Sequence, residues 1–147
     1  MKKKVLFICT HNSARSQVAE GLLNALYGDR YEAYSAGVEP TKVNPYVVKV
    51  MTEIGIDISK QYPKSIEEFR GKNFDYVVTV CDYAKEACPF FPGGEIFLHK
   101  GFKDPAEFKG TEDEVLTEVR QIRDEIKDWI KKTFIEDSQH ALLARKT

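Results

Sequence analysis

The stretch that most constrains this chain is Val5-Leu6-Phe7-Ile8, followed at once by Cys9-Thr10-His11-Asn12-Ser13-Ala14-Arg15-Ser16. An apolar run without alternation predicts a strand buried on both faces, as in the middle of a parallel sheet. From Arg15 to Tyr27 the residues Val18, Ala19, Leu22, Leu23 and Leu26 recur at helical spacing, and Gly28 ends the pattern. The order is therefore strand, tight loop, helix. A loop so placed can turn its backbone N–H groups around one tetrahedral oxyanion, and the helix adds its positive N-terminal end. Thr10, His11, Asn12, Ser13, Ala14, Arg15 and Ser16 are the candidate oxyanion-binding residues. Arg15 offers a planar fork of donors for two anion oxygens. The same positive field favours a thiolate at Cys9, to which Ser16 can donate a hydrogen bond. The loop contains no glycine, so Asn12 is the residue expected at a positive φ.

The rest of the chain repeats the alternation. Tyr31 to Ser35 reads as a second strand, closed by Ala36-Gly37. Asn44-Pro45 is a capped helix start, with Val47, Val48, Met51 and Ile54 on its apolar face. Ser65-Ile66-Glu67-Glu68 predicts a short capped helix ending near Gly71. Phe74 to Val80 is a second strongly apolar run that delivers Cys81 at the sheet edge presenting Cys9, the edge where open α/β sheets bind ligands. Glu95 to Leu98 is a short strand, and Asp104-Pro105 lies in the loop that follows. Thr111-x-x-Glu114 then caps a long amphipathic helix, with Val115, Val119, Ile122, Ile126 and Trp129-Ile130 along one face to about Thr133. Gln17 and Glu20 are expected on the loop side or in solvent, read as a solvated helix face ahead of a role in steadying the loop; His11 is read as an exposed loop residue ahead of one that tunes the loop electrostatically, and His99 as structural.

At 147 residues the chain fits one domain, assigned to residues 1–135, with 136–147 as a frayed or disordered tail. A net charge of −1 gives no basic excess for nucleic acid or an anionic membrane. No apolar run is long enough to span a bilayer. The three lysines at positions 2–4 precede too short an apolar stretch for a signal peptide. Three cysteines, an odd number, argue against a disulfide framework and for thiol chemistry in a reducing compartment, so a cytoplasmic location is expected.

The segment from Cys9 to Ser16 resembles the phosphate-binding loop of the low-molecular-weight protein tyrosine phosphatases and of the arsenate reductases sharing their fold. The likeness continues at Gln17-Val18-Ala19-Glu20-Gly21, Tyr34-Ser35-Ala36-Gly37, Gly55-Ile56-Asp57-Ile58-Ser59, Val77-Val78-Thr79-Val80-Cys81, Gly101-Phe102-Lys103-Asp104-Pro105 and Ile122-Arg123-Asp124-Glu125-Ile126. It implies an α/β three-layer sandwich with a four-stranded parallel sheet in the order 2-1-3-4. It also implies Cys9 as nucleophile, Arg15 as anion binder and Asp104 as general acid, a trio common to both activities.

Cys81 and Cys88, with six residues between them, separate the two. Reducing arsenate takes two electrons, which thiols supply by forming one disulfide. The resemblance implies a Cys9–arsenate adduct, a Cys9–Cys81 disulfide that releases arsenite, and a final Cys81–Cys88 disulfide that external thioredoxin reduces. The sequence thus points to a thioredoxin-coupled arsenate reductase with residual phosphatase activity. No cofactor is expected to be bound, and the partners are an arsenate or phosphate oxyanion and thioredoxin. The alternative is a phosphatase in which Cys81 and Cys88 protect Cys9 from overoxidation. A non-catalytic oxyanion-binding or redox-sensing module is the third reading, and the joint presence of Cys9, Arg15, Ser16 and Asp104 speaks against it.

The chain departs from the phosphatase pattern. Ser13-Ala14 stands where many phosphatases carry a second loop cysteine. Ala106-Glu107 follows Asp104-Pro105 where phosphatases place aromatic residues that grip a phosphotyrosine ring. Some reductases of this kind bind potassium near the loop. Asn12, Glu20 and Ser35 offer suitable oxygens but do not complete a set, so no metal is assigned.

Overall fold

The computed structural model describes residues 2–82 and 90–146, from residue 135 onward as backbone only. The strands are β1 (Lys3–Cys9), β2 (Tyr31–Gly37), β3 (Phe74–Thr79) and β4 (Gly94–His99). The helices are α1 (Arg15–Tyr27), α2 (Pro45–Glu53) and α3 (Glu112–Lys146). All strand pairings are parallel, in the order β2-β1-β3-β4, as expected. Parallel pairing sends every strand's carboxyl end to one edge, which therefore carries the loop after β1 and Cys81 after β3.

Alternation along β1 divides the core in two. Val5, Phe7 and Cys9 face the larger cluster, with Val18, Leu22 and Leu23 of α1, Val50 and Met51 of α2, and Ile122, Ile126 and Ile130 of α3. Leu6 and Ile8 face the other side and meet Ile66, Phe69, Phe74 and Phe91. There the expected short helix is a 3-10 turn over Ile66–Phe69, and Ser65 Oγ accepts from Glu67 N–H at its start. Phe134 of α3 closes the larger cluster edge-on against Phe7, Tyr31, Tyr76 and Trp129. This accounts for Trp129 as packing.

Local signals held where they rest on capping chemistry. Asn44 Oδ1 accepts from Tyr46 N–H at 2.9 Å, with Pro45 in the first helical position. Glu114 N–H donates to Thr111 Oγ1, whose hydroxyl donates back to Glu114 Oε1. The α3 backbone continues beyond Thr133 to Lys146, so the 135/136 position falls within one helix. Among the described residues no helix is long and apolar enough to cross a membrane.

Candidate active site

The loop between β1 and α1 is shaped from outside. Thr10 O accepts from Glu39 N–H, His11 O from Thr41 N–H, and Ser13 O from Asn44 N–H. Asn12 O accepts from Gln17 Nε2 at 3.0 Å. In a trans peptide the N–H points opposite to the C=O. With these carbonyls drawn outward, the N–H groups of His11, Asn12, Ser13 and Ala14 turn toward the inside of the curve. Ala14, at the N-cap of α1, offers no side-chain oxygen, and no side chain caps that helix end.

Asn12 has φ 50°, the only non-glycine residue at positive φ among those described. Its amide is fully engaged. Nδ2 donates to Ser16 Oγ at 2.8 Å and Ser35 Oγ at 2.9 Å. Oδ1 accepts from Gln17 Nε2 at 2.9 Å and Lys64 N–H at 2.8 Å. Gly37, paired with Cys9 across β1 and β2, supplies room for the loop. A Cβ there would lie 2.7 Å from Asn12 N and 2.8 Å from Thr10 O.

Inside the curve, Cys9, His11, Ser13, Ala14, Arg15, Thr41, Asp104 and Ala106 line a cavity of about 70 Å³. Cys9 is a free thiol with 1% exposure, and its Sγ lies 2.8 Å from Ser16 Oγ. Both Nδ2 hydrogens of Asn12 are directed at serine oxygens, so the Ser16 hydroxyl hydrogen is available to the sulfur. Arg15 is buried; Nη1 donates to Phe102 O at 3.3 Å, and Nη2 lies 3.6 Å from Asp104 Oδ2. Asp104 Oδ1 accepts from Ala106 N–H at 3.0 Å, with Pro105 opening a 3-10 turn. One carboxylate oxygen is thus fixed by the turn, and the other faces the guanidinium.

Cys81 is buried and disulfide-bonded, and its Sγ lies 3.8 Å from the carbonyl oxygen of Ile8, the residue before Cys9. Cys88 lies outside the described residues. His11 Nδ1 sits 3.1 Å from the carbonyl of Glu39, so the ring is anchored at the cavity wall. His99 Nδ1 meets Thr79 Oγ1 at 2.8 Å, and burial lowers its pKa.

Gln17 and Glu20 do not lie on a solvated face. Both are buried beneath the loop, Gln17 completely. Gln17 is enclosed by Asn12, Tyr62 O and Gln61 Nε2. Glu20 Oε1 accepts from Ser35 Oγ at 2.8 Å and lies 3.7 Å from Lys64 Nζ. Burial raises the Glu20 pKa, opposed by the Lys64 charge and by hydrogen bonds from Ser35 and Lys64. Glu20 Oε1 is therefore engaged by Lys64 and Ser35, and Ser35 Oγ by Asn12 and Glu20. Among the described residues no cluster of three His, Cys, Asp or Glu could hold a metal ion. Thr41 and Lys64 were not anticipated; they arrive on connections with no periodicity.

A family model described as low molecular weight phosphotyrosine protein phosphatase matches residues 4–142. An arsenate reductase of Halalkalibacterium halodurans is 47% identical over 92% of this chain and 96% of its own length. A solved arsenate reductase in its phosphate-binding state superposes with a TM-score of 0.76 at 32% identity, covering 92% of this chain and 98% of that one. A thioredoxin-dependent arsenate reductase of Corynebacterium glutamicum gives a TM-score of 0.59 at 31% identity, covering 90% of this chain and 63% of that one. With the fold, the oxyanion loop and these matches in agreement, the chain belongs to the low molecular weight phosphotyrosine protein phosphatase family, beside relatives named arsenate reductases.

Proposed function

We propose that this protein reduces arsenate to arsenite, with electrons supplied by its own cysteines and then by thioredoxin. The observation that carries this reading is the single small cavity shared by Cys9, Arg15 and Asp104. Among the described residues its lining includes no Phe, Tyr or Trp to hold an aryl ester, and Ala106 follows the Asp104-Pro105 pair. A bare tetrahedral oxyanion suits it.

In the first step the Cys9 thiolate attacks arsenic. An S–As bond forms and an As–O bond breaks, with Asp104 giving a proton so that water departs. Arg15 and the inward N–H groups neutralise the anion, and Ser16 donates to the sulfur until it is consumed as nucleophile. In the second step the Cys81 thiolate attacks the Cys9 sulfur. The S–As electron pair passes to arsenic, As(V) becomes As(III), arsenite leaves, and a Cys9–Cys81 disulfide remains. Cys88 then attacks Cys81, which frees Cys9 as thiolate and leaves Cys81–Cys88 for a thioredoxin dithiol to reduce. The burial of Cys81 beside the peptide preceding Cys9 supports its place in this sequence. The Corynebacterium glutamicum neighbour supports thioredoxin as reductant.

Phosphate-ester hydrolysis is the second reading, favoured by the family match and by the same first-step groups. The test is arsenate turnover with thioredoxin, thioredoxin reductase and NADPH, in the parent and in Cys88→Ser. The parent should consume NADPH continuously, and the variant should stop after one turnover with Cys9 joined to Cys81. If neither turns over arsenate and both hydrolyse an aryl phosphate equally, the protein is a phosphatase.

A further inference from the structure

Beneath the loop lies a buried ion pair for which the chemistry above has no use. Glu20 reaches it from α1 and Lys64 from the segment before the Ile66–Phe69 turn, with side chains only 11% and 10% exposed. A buried charged pair of this kind contributes little net stability. Its position relative to Cys9 gives it another meaning.

A chain of hydrogen bonds joins the pair to the nucleophile, and its direction is fixed at the centre. Asn12 Nδ2 donates one hydrogen to Ser16 and the other to Ser35. Each serine oxygen thereby accepts from Asn12, and its own hydrogen points outward along the chain. Ser16 meets Cys9 Sγ at 2.8 Å, and Ser35 donates to Glu20 Oε1 at 2.8 Å. Both ends must accept, which suits a thiolate at one end and a carboxylate at the other. Two anions at the ends of a short buried chain repel each other and oppose an incoming oxyanion. Lys64 cancels one of them.

We propose that Lys64 is a positioning residue, a built-in counter-ion whose ammonium balances Glu20 and so keeps the hydrogen-bond chain directed at Cys9 without adding negative potential under the oxyanion loop. Its ammonium is held on three sides, by Glu20 Oε1, by Tyr62 O at 2.8 Å and by the Tyr62 ring with its centroid 4.6 Å away. Its main-chain N–H independently supports Asn12 Oδ1. A side-chain substitution therefore removes the charge and leaves that strut. Facing Glu20 are Lys64, the charged partner, and Ser35 from β2. Without the lysine charge, the burial that already raises the Glu20 pKa acts unopposed by it. Whatever stays ionised at Glu20 is then a negative charge beneath the anion site with no cation beside it, and Glu20→Gln removes it.

This inference rests on Cys9 as the nucleophile, and its test does not require turnover. Alkylation of Cys9 by iodoacetamide, followed by mass spectrometry of the Cys9 peptide at pH 7, reports the thiolate. Protection by inorganic phosphate reports the anion site. Lys64→Met should slow alkylation about tenfold and raise the phosphate needed for half-protection by a similar factor. Lys64→Arg and the double variant Lys64→Met/Glu20→Gln should return both to within about threefold of the parent. A Lys64→Met protein that melts like the parent and matches it within twofold in both assays overturns the proposal. A double variant as defective as the single one also overturns it, because the lysine then acts through packing. If Lys64→Met does not fold, Glu20→Gln with Lys64 intact decides: retained phosphate protection is expected, and its loss overturns the proposal. Failure of the nucleophile assignment looks different, namely arsenate turnover that survives Cys9→Ser.

Discussion

Replacing Gly37 by alanine introduces one methyl group where the loop backbone leaves no space for it. The new Cβ would lie 2.7 Å from Asn12 N, 2.8 Å from Thr10 O and 3.0 Å from the His11 carbonyl carbon. Ordinary contact begins at 3.4 Å, so the loop must withdraw by about 0.7 Å, the difference from the shortest of these. β2 cannot yield instead, because Gly37 is paired with Cys9 and its N–H is held by Lys64 O at 2.9 Å. The withdrawal moves the N–H groups at the heart of the anion site. Displacements approaching 1 Å at such a site cost about a hundredfold in rate. The expected result is kcat/KM for arsenate lowered by about two orders of magnitude, with only about 1–3 kcal/mol lost from stability. The coupled NADPH assay measures the first and urea unfolding the second. Gly55→Ala is the control. Gly55 has φ +79° and nothing within 4 Å of its Cβ position, so it should cost about 1–2 kcal/mol of stability and no activity. A Gly37→Ala enzyme within threefold of the parent would refute the claim that loop geometry here is set by the bare glycine.

Three further outcomes follow from the contacts described. Ser16→Ala should slow Cys9 alkylation roughly ten- to a hundredfold, the cost of one hydrogen bond to a charged acceptor; an unchanged rate would remove Ser16 as that donor. Glu53 accepts a two-pronged contact from Arg120 and a third bond from Arg123, and chiefly the Arg120 bonds hold its pKa at about 2 against an ordinary 4.5. A carboxylate depressed in the folded state adds stability above its unfolded value and loses it as pH falls through the folded one. Between pH 4.5 and about 2, the Tm of the parent should therefore fall more steeply than that of Glu53→Gln, and equal slopes would contradict the pairing. Phe134→Ala should destabilise by about 3–5 kcal/mol in urea unfolding, since its ring meets Phe7, Tyr31, Tyr76 and Trp129; a loss below about 1 kcal/mol would mean that this end of α3 is not core.

The β1–loop–α1 unit could be read from sequence because its determinants are local. An apolar run makes the strand, spaced Val18, Leu22 and Leu23 make the helix, and a glycine-free loop has few residues able to adopt the positive φ found at Asn12. The caps at Asn44, Ser65 and Thr111 were visible for the same reason. Gln17 and Glu20 lie on the loop side, and the solvated face was preferred for them because a polar residue on an amphipathic helix has the pattern of a solvated one. What buries them comes from far along the chain: Tyr62 O, Gln61 and Lys64, on a segment more than forty residues away. The same holds for Thr41, which completes the cavity from an irregular connection. The long helix was cut short at Thr133 because its apolar stripe thins there. The backbone continues to Lys146 through Ala141, Leu142, Leu143, Ala144 and Arg145, residue types that favour helix.

The depth of Cys9 has a consequence for who can speak to it. Cys9, with 1% exposure and lining a cavity of about 70 Å³, is screened by size before any chemistry begins. Small oxyanions and peroxide fit; a tripeptide thiol or the active-site surface of another protein does not. Once Cys9 has reacted, restoring it falls to a reagent small enough to enter or to a thiol that already belongs to the same chain.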